Sequence, residues 1–211
     1  MHISTTTGFL ALAVAQFITL ALAQNISSAP FYLVLKSKKL TLDGAYLLPC
    51  HEGAALSALC PTTKPLTNLL HSQFSFNTTH IAAQSPLNDG VLAWNQPAST
   101  GLNDTPINIP QAMSFQYDDS SNVAVALFFF HYPTLVEFAS DDQLKIFSYR
   151  DDTKPLALGT GPSDHTQHLS RWYVCDTIVT SYLYQTLAWV LGKGKPQNPS
   201  CQKVEVFRKW V

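Results

Sequence analysis

The chain has 211 residues, a formal net charge of −1 and only 13 % charged side chains. Nucleic-acid binding relies on Lys and Arg side chains that neutralise phosphates, so this balance argues against a nucleic-acid partner. The charge is uneven, because residues 89–152 hold nine acidic and two basic side chains, whereas residues 193–211 hold five basic and one acidic. These two stretches either face each other or give the molecule a dipolar surface; we favour the first.

The first 23 residues are typical of a secretory signal peptide. They contain no charged side chain, and residues 9–22 are apolar except for Gln16 and Thr19. This run is shorter than the about 20 residues that cross a hydrocarbon core. Ala21 and Ala23 are the small residues that signal peptidase reads, so we expect cleavage after Ala23, with an uncleaved anchor as the rival. Residues 24–211 are then a single secreted β domain with no membrane contact.

Short apolar runs separated by Gly, Pro, Asn, Asp and Ser clusters follow. Residues 123–130 are continuously apolar, as in a strand buried on both faces, while Val204 and Val206 alternate with polar residues. The pattern predicts an all-β sandwich, barrel or trefoil of about 11–13 short strands. The candidate strands are residues 31–36, 40–42, 45–48, 74–77, 90–94, 113–117, 123–130, 135–138, 144–149, 172–176 and 202–208.

Three other regions need separate interpretation. Residues 53–59 are rich in Ala and Leu and are typical of one helical turn. Residues 182–191 carry leucines at helical spacing, but their β-branched and aromatic content favours a strand. The Pro- and Asn-rich tracts at 86–110 and 193–200 indicate long surface loops. We find no internal sequence repeat.

The four cysteines predict two disulfides, because an even count in an oxidising compartment is typical of a disulfide framework. Of the three pairings, we favour Cys50–Cys60 with Cys175–Cys201, which closes two short loops. Chain entropy gives about 3 kcal/mol for the first and about 3.5 kcal/mol for the second. The spacings match no zinc motif, so we expect no metal and no cofactor.

Three sequons occur, at Asn25, Asn77 and Asn103. Export makes such motifs usable, and an attached glycan must point into water. Asn25 adjoins the expected cleavage site. We therefore expect Asn77 and Asn103 to be the better acceptors and to lie at the surface.

Carboxylate pairs are the first candidates for chemistry. Such pairs serve calcium binding or glycoside hydrolysis, but each lies where Asp favours a turn, so turn chemistry is the main interpretation. His51 and Glu52 are a second candidate, for acid–base work or simply for capping the disulfide loop. The aspartate pairs are Asp118 with Asp119, Asp141 with Asp142, and Asp151 with Asp152.

Histidines and aromatic residues complete the candidates. His165 and His168 have a spacing that suits a metal only on a helix, so a solvated loop is the better interpretation. No Gly-x-Ser-x-Gly elbow or phosphate loop is present. Aromatic side chains either fill the core or form a platform on which sugar rings stack. The candidate ligand-binding aromatics are Trp94, Trp172, Tyr182 and Tyr184.

Two blocks, residues 30–60 and 172–211, carry a resemblance. The Cys-His-Glu-Gly-Ala-Ala run that begins at Cys50, and the spacing from Trp172-Tyr-Val-Cys to Pro-Ser-Cys201, resemble an uncharacterised family of secreted fungal proteins. The organisation is more distantly similar to fungal cell-wall proteins of the PhiA type. The resemblance implies export and paired disulfides, and it supplies no catalytic residue.

These observations favour a non-enzymatic secreted or cell-wall-associated protein that binds an extracellular polysaccharide or another cell-wall component. The alternative is a secreted carbohydrate-active hydrolase that uses paired carboxylates. A structure that places two of those carboxyl groups about 5–9.5 Å apart across a cleft would favour the hydrolase.

Overall fold

The computed structural model describes residues 25–64, 70–79, 82–83, 88–99, 106–129, 132–148 and 167–211. The predicted signal peptide, Asn103, the Asp151–Asp152 pair and His165 lie outside these residues. Within them, no helix is long and apolar enough to cross a membrane.

The fold is all-β, as predicted, and the described residues form fourteen antiparallel strands. This is slightly more than predicted, because the short strands β1 and β11 give no apolar pattern. A 3-10 turn at Leu70–Ser72 precedes β5. The strands are Asn25–Ser27 (β1), Phe31–Ser37 (β2), Tyr46–Gly53 (β3), Leu56–Thr62 (β4), Phe74–Thr79 (β5), Asp89–Ser99 (β6), Pro106–Gln116 (β7), Val123–Phe129 (β8), Leu135–Phe138 (β9), Leu144–Ser148 (β10), Gln167–Leu169 (β11), Trp172–Val179 (β12), Tyr182–Val190 (β13) and Gln202–Trp210 (β14).

Six strands close a ring. The ring runs β2–β5–β6–β9–β10–β14 and returns to β2. The contact between β10 and β14 is made by a bridge from Gln143 to Phe207. Gly90 allows β6 to approach β5, because a Cβ there would lie 2.5 Å from the carbonyl oxygen of Asn77. Closure leaves the ring without free edges.

Three hairpins are inserted between successive ring strands. The β3–β4 hairpin lies between β2 and β5, the β7–β8 hairpin between β6 and β9, and the β12–β13 hairpin between β10 and β14. Strand β8 pairs with both β4 and β13, which brings the hairpins together. A six-strand ring with three such hairpins is the connectivity of a β-trefoil, one of the three predicted architectures. Its repeat is structural and leaves no sequence repeat.

The core fills the ring and the space beneath the hairpins. Strand alternation directs one face of each ring strand inward, and the inward side chains are large and fully buried. They include Phe31, Leu33, Phe74, Leu92, Val136, Leu144 and Val206.

Several local predictions have clear outcomes. The strand at 182–191 is confirmed as β13, whereas the helical turn at 53–59 is wrong, because residues 56–59 pair with β3 as part of β4. The loop prediction for 86–110 is wrong in part, because β6 and β7 extend as a ribbon as far as Ser99 and Pro106. This ribbon is unpaired with a third strand over its outer part, where proline is tolerated.

Both predicted disulfides are confirmed, Cys50–Cys60 and Cys175–Cys201. The first joins the two strands of the β3–β4 hairpin, and the second joins β12 to the residue before β14. The acidic and basic stretches are also in contact, because Arg208 and Asp142 form an ion pair of 2.6 Å.

Candidate functional site at the hairpin tips

Two hairpin tips, those of β3–β4 and β12–β13, lie against each other. The Thr180 hydroxyl, in the turn between β12 and β13, donates a hydrogen bond to the carbonyl oxygen of Glu52. Each turn holds a non-glycine residue in the left-handed region, Ala55 with φ 54° and Thr180 with φ 53°. Such conformations are costly and persist where surrounding contacts impose them. The contact between the tips is therefore a defined structure.

An aromatic surface lies at this contact. Tyr182 and Tyr184 are two residues apart on β13, so their side chains leave the same face of the strand. Their rings are nearly parallel, with centroids 5.9 Å apart and an interplanar angle of 5°. The His51 ring meets the Tyr182 ring edge-on at 5.6 Å. Because Tyr182 is 40 % exposed and Tyr184 37 % exposed, solvent reaches both. We call Tyr182, Tyr184 and His51 the tyrosine platform.

Glu52 adjoins this platform but is buried. A register shift between His51 and Gly53 marks a β-bulge at Glu52. Bulges redirect side chains and occur often beside functional sites. Neither carboxyl oxygen reaches solvent, and neither has a hydrogen-bond partner among the described residues. Burial disfavours the charged form and raises the pKa of Glu52 from 4.5 to about 7. Near neutral pH, this carboxyl group is therefore poised between its protonated and ionised forms.

A mostly apolar cavity of about 400 Å³ opens beside the same turn. Gly53, Ala54 and Leu56 contribute one wall, and Thr180 contributes another from the facing hairpin. The β7–β8 hairpin supplies the rest, through Ser114, Phe115, Gln116, Leu127 and Phe129. All three hairpins thus surround one concave region.

A family model described as a domain of unknown function (DUF7907) matches residues 28–210. The chain belongs to this family. No curated protein and no solved structure matches it. All six ring strands and the tyrosine platform lie inside the matched range. The predicted resemblance to an uncharacterised family is confirmed in this form, whereas a fungal source, export and a likeness to PhiA proteins stay predictions.

Trp94 and Trp172 were predicted from the sequence to belong to a ligand-binding platform. Both lie inside this DUF7907 domain. Trp172 is fully buried, and its indole N–H donates to the Leu144 carbonyl at 2.9 Å. Trp94 is almost fully buried and donates to the His71 carbonyl at 3.0 Å. Their ring faces are covered by core side chains, so that part of the prediction is corrected. The predicted aromatic surface is reduced to Tyr182 and Tyr184.

The described aspartate pairs make local contacts. Asp118 accepts hydrogen bonds from the side chain and the backbone N–H of Ser120, which lower its pKa. Asp141 accepts from the Gln143 N–H at 3.2 Å, while Asp142 pairs with Arg208. The contacts of Asp118 and Asp141 are the turn contacts favoured from sequence, whereas the ion pair of Asp142 joins residues that are distant in the chain. Within the described part of the chain, no group of three or more His, Cys, Asp or Glu side chains is placed to hold a metal ion.

A histidine–carboxylate pair was missed by sequence reasoning. Nδ1 of His168 lies 2.5 Å from Oε1 of Glu137, and Glu137 is buried whereas His168 is half exposed. The sequence signal that could have revealed this pair was Glu137, an acidic residue inside the apolar run Leu135-Val-Glu-Phe. The pair is on β9 and β11, away from the hairpin tips.

Two of the three sequons fall on described residues, and one of these two, at Asn77, lies within the range that the family model matches. Asn25 is exposed on β1, whereas Asn77 is half-buried on β5 between β1 and β6. The Oδ1 atom of Asn77 is inaccessible to solvent. Asn77 is therefore only partly exposed, and its glycosylation stays a prediction.

Proposed function

We propose that this protein is a non-enzymatic, secreted or cell-wall-associated protein that binds an extracellular glycan at the tyrosine platform. The observation that carries the proposal is the parallel, solvent-exposed ring pair of Tyr182 and Tyr184. Sugar rings present C–H faces that pack on aromatic faces, and an exposed tyrosine offers an apolar face with a polar tip. His51 adds ring nitrogens that exchange hydrogen bonds with hydroxyl groups.

Other features of the chain fit an extracellular protein. Two disulfides are typical of an oxidising compartment. The apolar segment before residue 24 fits export, and the exposed Asn25 sequon fits glycosylation. The resemblance of the two terminal blocks to secreted fungal proteins, and the more distant one to cell-wall proteins, give the proposed setting.

The rival function is a carbohydrate-active hydrolase. Its main support is Glu52, because a carboxyl group with a pKa of about 7 keeps a large protonated fraction at neutral pH and so has the property of a general acid. Such an acid must reach its substrate, and Glu52 is fully buried. Its activity would therefore require the two hairpin tips to separate.

The test measures binding and hydrolysis together. The chain from residue 24 onward is mixed with washed insoluble chitin, β-glucan, mannan or cellulose, and the supernatant is assayed for lost protein and for released reducing ends. We expect depletion of the protein by at least one polysaccharide, without new reducing ends. Reducing ends that increase with time would favour the hydrolase instead.

Variants locate the binding surface. Tyr182→Ala and Tyr184→Ala should each weaken binding about three- to tenfold, because an aromatic contact contributes about 0.5–1.5 kcal/mol beyond burial. Tyr132→Ala is the matched control, since this tyrosine is 86 % exposed and lies outside the platform. An equal loss in the control, or unchanged binding in both platform variants, would contradict the proposal.

A further inference from the structure

Lysine side chains converge at another place on the trefoil, where the end of β2 adjoins the start of β14. Strand pairing sets Lys36 opposite Glu205 and Ser37 opposite Val204. The turn after β2 returns over the same region and adds Lys38, Lys39 and Asp43. Together these residues line a cleft of about 640 Å³, in which Lys203 faces the turn. We call this region the lysine cleft.

The turn that carries two of these lysines is held in a defined position. The Ser37 N–H donates to a carboxylate oxygen of Asp43 at 3.0 Å, and the Ser37 hydroxyl donates to the Lys203 carbonyl at 3.2 Å. Leu42 is buried and anchors the turn to the core. The spacing of the lysines is therefore fixed by the fold, although their side chains extend into solvent.

The cleft carries an excess of positive charge. It is lined by four ammonium groups and two carboxylates, those of Asp43 and Glu205. In the described part of the chain, none of the four lysines forms an ion pair, and one Asp43 oxygen already accepts the Ser37 N–H. A concave region with a net positive charge attracts anions from solution. The cleft therefore has positive charge that its own carboxylates do not neutralise.

We propose that the lysine cleft binds an anionic polysaccharide, one that carries carboxylate or phosphate groups along its chain. Lysine acts as a flexible point charge and adapts to repeated anionic groups, without the fixed geometry that arginine imposes. Among the described residues, no aromatic side chain lines the cleft, so we do not propose stacking on neutral sugars as its mode of binding. Its concave shape fits a polymer strand better than a flat lipid surface.

An extended nucleic acid is the less favoured polyanion. Nucleic-acid surfaces carry basic side chains over a broad face, whereas this chain has a net charge of −1 and the cleft presents four lysines. The lysine cleft shares no residue with the tyrosine platform. Failure of either binding prediction therefore leaves the other standing.

The experiment titrates the chain from residue 24 onward with polygalacturonate, with a phosphomannan and with neutral dextran. We expect binding to at least one anionic polymer and none to dextran. Binding to polygalacturonate identifies carboxylate as the recognised group, and binding to phosphomannan identifies phosphate. The affinity should fall about tenfold between about 50 and 200 mM salt, as for other contacts that release counterions.

Matched variants separate the cleft from net charge. Lys38→Gln, Lys39→Gln and Lys203→Gln, combined in one chain, should weaken this binding at least about tenfold by the same electrostatic effect. Lys64→Gln, Lys145→Gln and Lys195→Gln remove the same charge outside the cleft and should leave the affinity within about twofold. Thermal unfolding of both variants checks that each is folded.

Three outcomes would overturn the inference. The first is an equal loss of affinity in the two triple variants, which would show that only net charge matters. The second is equal binding of dextran. The third is a folded protein that binds neither anionic polymer but binds duplex DNA or phosphatidylserine vesicles, because the cleft would then serve another class of partner.

Discussion

The two ends of the β12–β13 hairpin differ in their surroundings. Along the whole hairpin, side chains point alternately to the two faces of the strands, but they are mostly buried at one end and mostly exposed at the other. At its base, Trp172 pairs with Trp189 and Val174 pairs with Leu187, and all four are buried. Toward its tip, Ile178 pairs with Leu183, and these side chains are 71 % and 65 % exposed. Both ends are built from apolar cross-strand pairs.

Neighbouring strands explain the difference. Strand β14 pairs with β12 only at Tyr173 and Val174, and β8 pairs with β13 only at residues 188–190. The base is therefore flanked on both sides, whereas the tip extends beyond its neighbours. An apolar side chain contributes to the core only where another element covers it. The base thus serves stability, and the tip is available for binding.

The largest expected effect is at the base. Trp172→Ala should lower the free energy of unfolding by about 3–5 kcal/mol, because it leaves a large cavity and an unpaired Leu144 carbonyl. Chemical denaturation measures the change. Leu183→Ala, at the tip, should change stability by less than about 0.5 kcal/mol. Similar losses of stability at the two positions would contradict the distinction between base and tip.

Glu52 is an exception, since it is a buried side chain at the hairpin tips. Below about pH 4.5 its carboxyl group is protonated in both the folded and the unfolded chain, so its titration does not change the stability there. As the pH rises from 4.5 through 7, the unfolded chain ionises first, because the folded pKa is about 7. Stability should therefore fall as the pH rises, by about 3 kcal/mol in total.

Glu52→Gln measures this contribution. The substitution removes the titrating group, so the variant should lose this part of the pH dependence and be more stable than the parent at about pH 8. Urea denaturation at about pH 5 and pH 8 gives the two differences. A parent and a variant with the same pH dependence would show that Glu52 is not the responsible group.

Substitutions at the boundary between base and tip should have a smaller effect on stability. Thr177 and Thr186 are buried, and their hydroxyl oxygens lie 2.6 Å apart. Thr186→Val leaves the Thr177 hydroxyl without its partner and should cost about 1–3 kcal/mol. The double variant Thr177→Val/Thr186→Val removes both polar groups and should recover most of that loss. A double variant less stable than the single one would contradict this interpretation.

Much of the fold was predictable, because local patterns define strands. The apolar run of β8 and the alternation of Val204 and Val206 gave strands that the structure contains. The cysteine spacing gave both disulfides. The closed ring was not predictable, because it depends on pairs such as Phe31–Trp210 that lie far apart in sequence. No local pattern encodes which strands become neighbours.

The site was predictable only in parts. His51, Glu52, Tyr182 and Tyr184 were named separately, but their meeting depends on the packing of two hairpins more than 120 residues apart. Trp94 and Trp172 are of a residue type that is common in binding sites. Only the structure shows that other strands cover them and place them in the core. The Lys36, Lys38, Lys39 and Lys203 group likewise appears only when β2 and β14 pair.

Ring closure also has a consequence for how the chain folds. The strand that completes the ring, β14, is the last of the described strands, and its main partner β2 is among the first of them. The barrel interior therefore stays open until β14 has been synthesised. Such distant pairing slows folding and exposes apolar faces in intermediates. Truncation just after Cys201 would leave β2 and β10 without their shared neighbour and keep the barrel open.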